Sequence, residues 1–194
     1  MSRSVSTALA VLVAAVALAL FIASLAGCGG PPPPSTTTTP PPPGPGATAQ
    51  LILGGVAADA GVMVPLRDGD RVPLVAGAQG GFHVWLRWGV RDLPPGTVTL
   101  ERSARRVRDD AVVLRFDGRV DVGAAAGDGW YDAPSPIPMF MCPTPIGISI
   151  VDEPIHFQLR VLDDGGAELA RQGVTLVPSC PDAQRDFCTR ICTG

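Results

Sequence analysis

The chain has 194 residues, of which 46% are hydrophobic, and a formal net charge of −3 at pH 7. Its 15 basic residues are all arginines, which excludes chemistry that needs a lysine, such as Schiff-base formation or a P-loop. The acidic balance excludes a protein that binds nucleic acid by neutralising phosphates. Because His83 and His156 are the only histidines, we expect no histidine-rich metal site, and no cofactor is indicated.

The first 27 residues have the composition of a targeting segment. Arg3 supplies a positive charge, and residues 8–26 are almost entirely apolar, with Ser24 as the only polar side chain. A basic start, an apolar run and small residues before a break are typical of a secretory signal. The run of about 18 residues is also just long enough for a membrane-spanning helix, so length alone does not separate the two.

The end of this segment, Leu25-Ala26-Gly27-Cys28, resembles the lipobox of bacterial lipoprotein signal peptides. The resemblance covers residues 1–28 only. It implies that residues 1–27 are removed and that Cys28 carries acyl chains such as palmitate, which attach the protein to the membrane. In that family an acidic residue after the cysteine retains the protein at the inner membrane. Gly29 stands there instead, which favours the outer membrane or cell surface of the bacterial envelope. An uncleaved membrane anchor and ordinary secretion are the alternatives.

Residues 28–46 have the composition of a tether. Nine of the chain's 21 prolines lie between Pro31 and Pro45, with the threonines 36–39 between two proline blocks. Proline runs favour polyproline II, which rises about 3.1 Å per residue and needs no core. This segment is therefore interpreted as a spacer of about 50 Å between the membrane and a domain over residues 47–194.

The domain begins with short strand patterns. Alternation of apolar and polar residues predicts half-buried strands. The shorter candidates are Gln50–Leu53, Val62–Leu66, Val72–Val75, Thr97–Glu101, Val112–Phe116, Val120–Val122, Gly147–Val151 and Val174–Val177. The dipeptide Asp117-Gly118 predicts a hairpin turn between its two flanking strands.

Two longer segments, 82–90 and 155–161, alternate most regularly. The residues expected to face inward are Phe82, Val84, Leu86, Trp88, Val90, Ile155, Phe157, Leu159 and Val161. The residues expected to face outward are His83, Trp85, Arg87, His156, Gln158 and Arg160. We therefore expect Leu86, Trp88, Phe157 and Leu159 to be buried together, and both histidines to be exposed.

Helical patterns are short in this domain. Ala167–Gln172 and Pro181–Thr189 are each long enough for one or two helical turns. About nine short strands separated by turn signals are typical of an all-β fold, an antiparallel β-sandwich, and an immunoglobulin-like topology is one arrangement of it.

Four cysteines remain besides Cys28: Cys142, Cys180, Cys188 and Cys192. An even number in an exported domain predicts two disulfide bonds. Cys142–Cys180 with Cys188–Cys192 is the favoured pairing, because the last two are close in sequence. The rival is a helical tail that pairs Cys188 or Cys192 with Cys142, since cysteines at helical positions i and i+4 join awkwardly.

Two groups of residues are candidates for binding. If the strands 82–90 and 155–161 are neighbours, the row His83, Trp85 and Arg87 shares a face with the outward row of the second strand. An exposed tryptophan between histidine and arginine is typical of a surface that contacts sugar or peptide. The alternative is that a loop or the tail covers Trp85.

The second candidate is the segment 123–146, which its five prolines predict to be irregular rather than a strand. In one interpretation Phe140 and Met141 tuck into the open end of the sandwich and the segment is only a lid. In the other, Trp130 and Tyr131 remain exposed and contact a partner.

These features predict a non-enzymatic surface lipoprotein that binds a partner or contributes to the envelope. The partner class is an envelope protein or polysaccharide. An exported hydrolase with His83 or His156 as general base is the alternative, because the chain contains serines and acids besides these histidines. A histidine beside an acid and a nucleophile in one cleft would distinguish the enzyme.

Overall fold

The computed structural model describes residues 49–56 and 63–193. The interpretations of residues 1–48, including lipidation of Cys28, lie outside these residues. Within the described part, no helix combines the length and the apolar character needed to cross a membrane.

The strands are β1 (Gln50–Val56), β2 (Met63–Pro65), β3 (Arg71–Pro73), β4 (Val75–Ala76), β5 (Phe82–Arg91), β6 (Gly96–Arg106), β7 (Val112–Val122), β8 (Trp130–Asp132), β9 (Ile137–Cys142), β10 (Ile155–Leu162) and β11 (Glu168–Ser179).

The strands form two sheets, which confirms the predicted all-β sandwich. Sheet 1 has the order β2-β1-β5-β4, and β8 and β9 pair with the other side of β5. Sheet 2 has the order β3-β11-β10-β6-β7. All described pairs are antiparallel except β3 with β11, which is parallel. The immunoglobulin-like topology stays a prediction.

The core consists of the inward-facing residues of both sheets. Trp88 is 3% exposed, and Leu86, Phe157 and Leu159 are fully buried in the same apolar cluster. The alternation of β5 and β10 therefore predicted these positions correctly. Removal of this apolar surface from water is the main term that stabilises the domain.

Three local predictions are wrong. The Asp117-Gly118 pair lies inside β7 because both flanking runs pair with β6, whose 11 residues are long enough to take them all. Of the run Ala167–Gln172, residues 168–172 belong to β11 rather than to a helix, since their pairing with β10 outweighs a weak helical pattern. Gly147–Val151 forms no strand. Its Ile148 closes a turn on Pro145, and its Ile150 amide donates to the Cys192 carbonyl at 3.3 Å.

The prediction that residues 123–146 contain no strand is also wrong, because β8 and β9 lie there. Among the described strands, β9 pairs with β5 alone and so forms an edge. The carbonyl of Pro138 accepts a hydrogen bond from Arg102 Nη1 at 3.0 Å and therefore faces away from β5. In an antiparallel strand the nitrogen of the same residue faces the same way, so this proline removes no ladder hydrogen bond.

The favoured disulfide pairing is wrong, and the rival with a helical tail is closer. After a 3₁₀ turn at Asp182–Gln184, helix α1 spans Arg185–Cys192. The disulfides are Cys142–Cys192 and Cys180–Cys188, with Cα–Cα distances of 5.0 and 5.7 Å. Cys188 and Cys192 stand one helical turn apart, so each bonds to a strand end instead of to the other. The helix is thereby attached to the ends of both β9 and β11.

The Trp88→Ala variant tests the core. We expect it to lower the free energy of unfolding by about 3–5 kcal/mol, because it leaves a cavity where a large buried aromatic ring stood. Chemical denaturation measures the change. Trp130→Ala, on the outer face of the same sheet, is the matched control and should cost clearly less. A loss below about 1 kcal/mol for Trp88→Ala would contradict this packing.

Candidate functional site

Trp85 lies half-buried on the outer face of sheet 1, in the wall of an open groove of about 520 Å³. We name this depression the β5 groove. Its lining residues come from five segments of the chain: Gly55, Leu66, Arg71, Val72, Pro73, Val75, Val84, Trp85 and Pro136. This volume lies within the range of small-molecule and peptide pockets, about 300–1,000 Å³.

The β5 groove lies where β5 passes from the end of β1 to β4. On one side of β5, Gly55 of β1 pairs with Leu86, so that Val56, the last residue of β1, follows opposite Trp85. On the same side, Val75 of β4 pairs with His83. The segment β3, which precedes β4, runs along β11 of sheet 2 and contributes Arg71, Val72 and Pro73 to the lining of the groove.

The main chain of β5 turns alternate residues towards opposite neighbours. The Ala133 amide donates to the Trp88 carbonyl at 3.0 Å, so even-numbered residues face β8 and β9. The Gly77 amide donates to the Gly81 carbonyl at 2.8 Å, and this hairpin register turns odd-numbered residues towards β1 and β4. The N–H and C=O of Trp85 consequently point towards β1, where the register places Val56.

The rim of the β5 groove is apolar, with one charged residue among its described lining. Val75 is 42% exposed, and Phe140, across β5 on the same outer face, is 48% exposed. Arg71 has an exposed guanidinium whose Nη2 donates to Asp152 Oδ1. The remaining donors of that guanidinium stay available to an anion.

His83 is not exposed, contrary to the prediction; it is 9% accessible. The Phe140 ring packs edge-on against the imidazole at a centroid distance of 4.7 Å, and the Trp85 ring lies at 6.2 Å. Gly77 lies directly beneath, where a Cβ would stand 2.1 Å from Nε2. Alternation identifies the face on which a side chain lies, but not the neighbours that cover it. Burial lowers the pKa of His83.

The predicted shared face of the two histidine strands is wrong, because β5 and β10 belong to different sheets. His156 lies on the outer face of sheet 2, with Nδ1 3.3 Å from Thr175 Oγ1. Nδ1 of His83 has no hydrogen-bond partner among the described residues. In that part of the chain, neither imidazole has a hydrogen bond to a carboxylate or to a serine hydroxyl. Nor do three potential metal-ligating side chains cluster anywhere in it.

The outer face of sheet 2 is occupied by its own ion pairs. Arg160 donates to Glu168 at 2.6 Å and to Glu101 at 3.1 Å, and Arg171 donates to Glu168 at 2.7 Å. Burial opposes ionisation of Glu168, but hydrogen bonds from the two arginines outweigh it and lower the pKa of this carboxyl. These side chains pair with one another on the outer face of sheet 2.

Trp130 and Tyr131 lie apart from the β5 groove. They pair with Arg91 and Val90, at the opposite end of β5 and about 20 Å from Trp85. The Arg91 guanidinium lies 5.3 Å from the Trp130 ring centroid. Tyr131 packs against Trp88 and donates its hydroxyl to the Asp121 carbonyl at 3.1 Å. Of the segment's other apolar residues, Met141 is buried and Phe140 is exposed, so neither interpretation of this segment describes it fully.

Arg87, the remaining candidate, lies on the same outer face as Trp85 and donates to the Ala133 carbonyl at 3.2 Å. Sequence reasoning identified Trp85 but missed Leu66, Pro73, Val75 and Pro136 as its neighbours. These residues come from separate segments, and only the crossing of the chain between the sheets brings them together. The one sequence feature that pointed to this groove was Val75, an apolar residue that faces solvent.

No protein-family model, curated protein or solved structure matches the chain. The interpretation of the β5 groove therefore depends on its own geometry. It combines apolar walls and one cation. Such a site can bind a ligand that is mostly apolar and has a negative charge.

Burial of His83 predicts that stability decreases with acidification. Its pKa is lowered from 6.5 in the folded state, so the unfolded chain takes up the proton first as the pH falls. The contribution is complete above pH 6.5 and decreases below it. Urea midpoints between about pH 7 and pH 5 should therefore fall, and His83→Gln should reduce that fall. His156→Gln, which removes the other histidine, is the matched control. An unchanged pH dependence in His83→Gln would contradict the assignment.

Proposed function

We propose that this chain is a membrane-anchored lipoprotein of the bacterial envelope, whose β-sandwich is a non-enzymatic binding module with the β5 groove as its binding site. The observation that carries the proposal is the open, mostly apolar groove around Trp85 on sheet 1. Concave apolar sites with a few convergent polar groups are the usual form of ligand sites. An envelope protein or polysaccharide is the proposed class of partner.

The anchor, tether and disulfides support the proposed location. The motif that ends in Cys28 supplies a lipid attachment, and the proline-rich tether separates the domain from the membrane. Two disulfides fit an oxidising compartment outside the cytoplasm. The surroundings of the two histidines favour binding over hydrolysis, because a general base needs a substrate-activating geometry beside it.

The anchor is tested with Cys28→Ala in the full chain. We expect the wild type to be cleaved before Cys28, to carry acyl chains by mass spectrometry and to fractionate with membranes. The variant should lose both cleavage and acylation, since no thiol remains to be modified. Ser24→Ala leaves the motif intact and is the control. An unmodified Cys28 in the native protein would contradict the proposal.

The binding site is tested by photo-crosslinking in cells. A photoreactive residue replaces Val75 at the rim of the β5 groove or, as control, Val112 on sheet 2; the two valines are 42% and 43% exposed. We expect a defined adduct with an envelope component from position 75 only, and its loss when Trp85→Ala is added. Equal adducts from both positions, or none from position 75, would contradict the assignment.

A further inference from the structure

We propose that the chain forms a symmetric dimer through the free edge of β7. Two copies of this strand pair antiparallel about Gly118 and join the two copies of sheet 2 into one continuous sheet. The partner is therefore a second copy of this chain. The surface is separate from the β5 groove, and the inference does not depend on the proposed binding function.

The edge of β7 presents main-chain groups that no described strand binds. This strand has 11 residues, stands last in sheet 2 and pairs with β6 alone among the described strands. The Arg106 N–H donates to the Ala111 carbonyl at 2.9 Å, so the even-numbered residues of β6 face β7. One of them, Leu100, pairs with Gly118. The N–H and C=O groups of the odd-numbered residues 115–121 consequently point to the free edge.

One contact at the end of this edge agrees with that direction. The Tyr131 hydroxyl donates to the Asp121 carbonyl at 3.1 Å, so this carbonyl points away from β6. A carbonyl oxygen has two lone pairs and can accept a second hydrogen bond from an added strand. The N–H and C=O groups of residues 115, 117 and 119 have no partner on this side within the described part of the chain.

The side chains along this edge alternate in charge. Arg115, Asp117, Arg119 and Asp121 occupy its odd-numbered positions, and all four are exposed. In an antiparallel pair centred on Gly118, Arg115 lies opposite Asp121 of the second copy. Asp117 likewise lies opposite Arg119 of the second copy. Each of the four charges therefore meets an opposite charge, which stabilises a cross-strand pair.

Within one copy, these charges are incompletely paired. Arg119 donates to Asp164 at 3.0 Å, whereas neither Arg115 nor Asp117 has an ion pair among the described residues. Asp117 also lies opposite Glu101 of β6, which is a pair of like charges. An arginine from a second copy offsets that repulsion, and the remaining donors of a guanidinium allow it to bind two carboxylates.

The order of the charges selects one register. Charged side chains on an edge strand commonly prevent pairing with other chains. Here a slide by two residues places Asp117 opposite Asp117 or Arg119 opposite Arg119, which is unfavourable. A slide by one residue turns the free main-chain groups towards groups that already bind β6. The edge therefore favours a closed dimer, in which both copies use the same surface, over open aggregation.

The even-numbered residues of β7 fit the same register. Phe116 is 45% exposed, although the Arg102 guanidinium lies 4.3 Å from its ring centroid. In the dimer Phe116 lies opposite Val120 of the second copy, and an aromatic ring with a β-branched residue is a favourable cross-strand pair. Gly118 lies on the axis itself, where opposed residues approach most closely and the absence of a side chain avoids a clash.

The register is tested with Gly118→Cys in the full chain, expressed in bacterial cells. A Cβ there would meet only Phe116 Cε1, at 3.4 Å, so a cysteine fits. We expect a covalent dimer on non-reducing gels and a 118–118 link by mass spectrometry, because the two Cα atoms stand about 4.5 Å apart. Val120→Cys is the matched control on the same side of β7. It lies opposite Phe116 of the second copy and should give no such link.

The charges are tested by reversal in the Gly118→Cys chain. We expect Asp117→Arg or Arg119→Asp to reduce the crosslinked dimer by roughly tenfold to a hundredfold, since two attractive pairs become repulsive. Co-expression of the two variants should restore it as a mixed dimer, because each arginine again meets an aspartate. Restoration also establishes that both variants fold. Asp186→Arg, an exposed reversal on α1, is the control and should leave the dimer unchanged.

Three results would overturn the dimer. These are equal links from positions 118 and 120, links that survive the charge reversals, and no recovery in the mixed pair. Because Gly118→Cys itself could fail to fold, the wild type in detergent micelles is measured by light scattering. A mass of one copy at about 0.1 mM overturns the proposal without any mutation. A photo-adduct from position 112 with the mass of two chains supports this interface and is distinct from an envelope adduct.

Discussion

The crossing of the chain from one sheet to the other between β2 and β4 is the constraint on which the rest of the structure depends. The turn before β3 is bound to β11 by main-chain and side-chain hydrogen bonds: Thr175 N–H donates to Asp68 Oδ1 at 2.7 Å, and Gly69 N–H donates to the Thr175 carbonyl at 2.8 Å. Leu74, which follows β3, is fully buried, and its amide donates to Ser179. This segment therefore closes one side of the sandwich. The same crossing brings Arg71, Val72 and Pro73 into the lining of the β5 groove, so closure of the core and formation of the groove have one cause.

Covalent bonds close the same end of the sandwich, because Cys180 follows Ser179, the partner of Pro73, and Cys142 pairs with Phe82. Cys142–Cys192 closes a loop with a sequence separation of 50, which stabilises by about 4 kcal/mol in the chain-entropy model, and Cys180–Cys188 attaches the start of the tail. Disulfide bonds provide a large part of the stability of a small domain with a limited core. The result is a rigid frame around β5, and a rigid frame lowers the entropic cost of ligand binding.

The alternation of apolar and polar residues predicted those features that depend on neighbouring residues in the chain. The alternation of β5 and β10 identified the core positions, including Trp88, because a strand with one buried face must alternate. The same pattern does not indicate which sheet a strand joins. His83 and His156 were expected to share a face if their strands were neighbours, but the two strands belong to different sheets. The disulfide partners and the pairing of Pro138 depend on contacts between distant segments. For the site, Trp85 was identifiable from its outward phase, whereas the lining of the groove beside it depends on the pairing of β3 with β11.

The central claim is that the open, mostly apolar β5 groove around Trp85 is the binding site of this domain. Crosslinking from position 75 in cells, compared between Trp85→Ala and Trp130→Ala, tests it directly. We predict that the adduct is lost in Trp85→Ala and retained in Trp130→Ala, because Trp130 pairs with Arg91 at the other end of β5. Loss of the adduct in both variants, or in neither, would contradict this account.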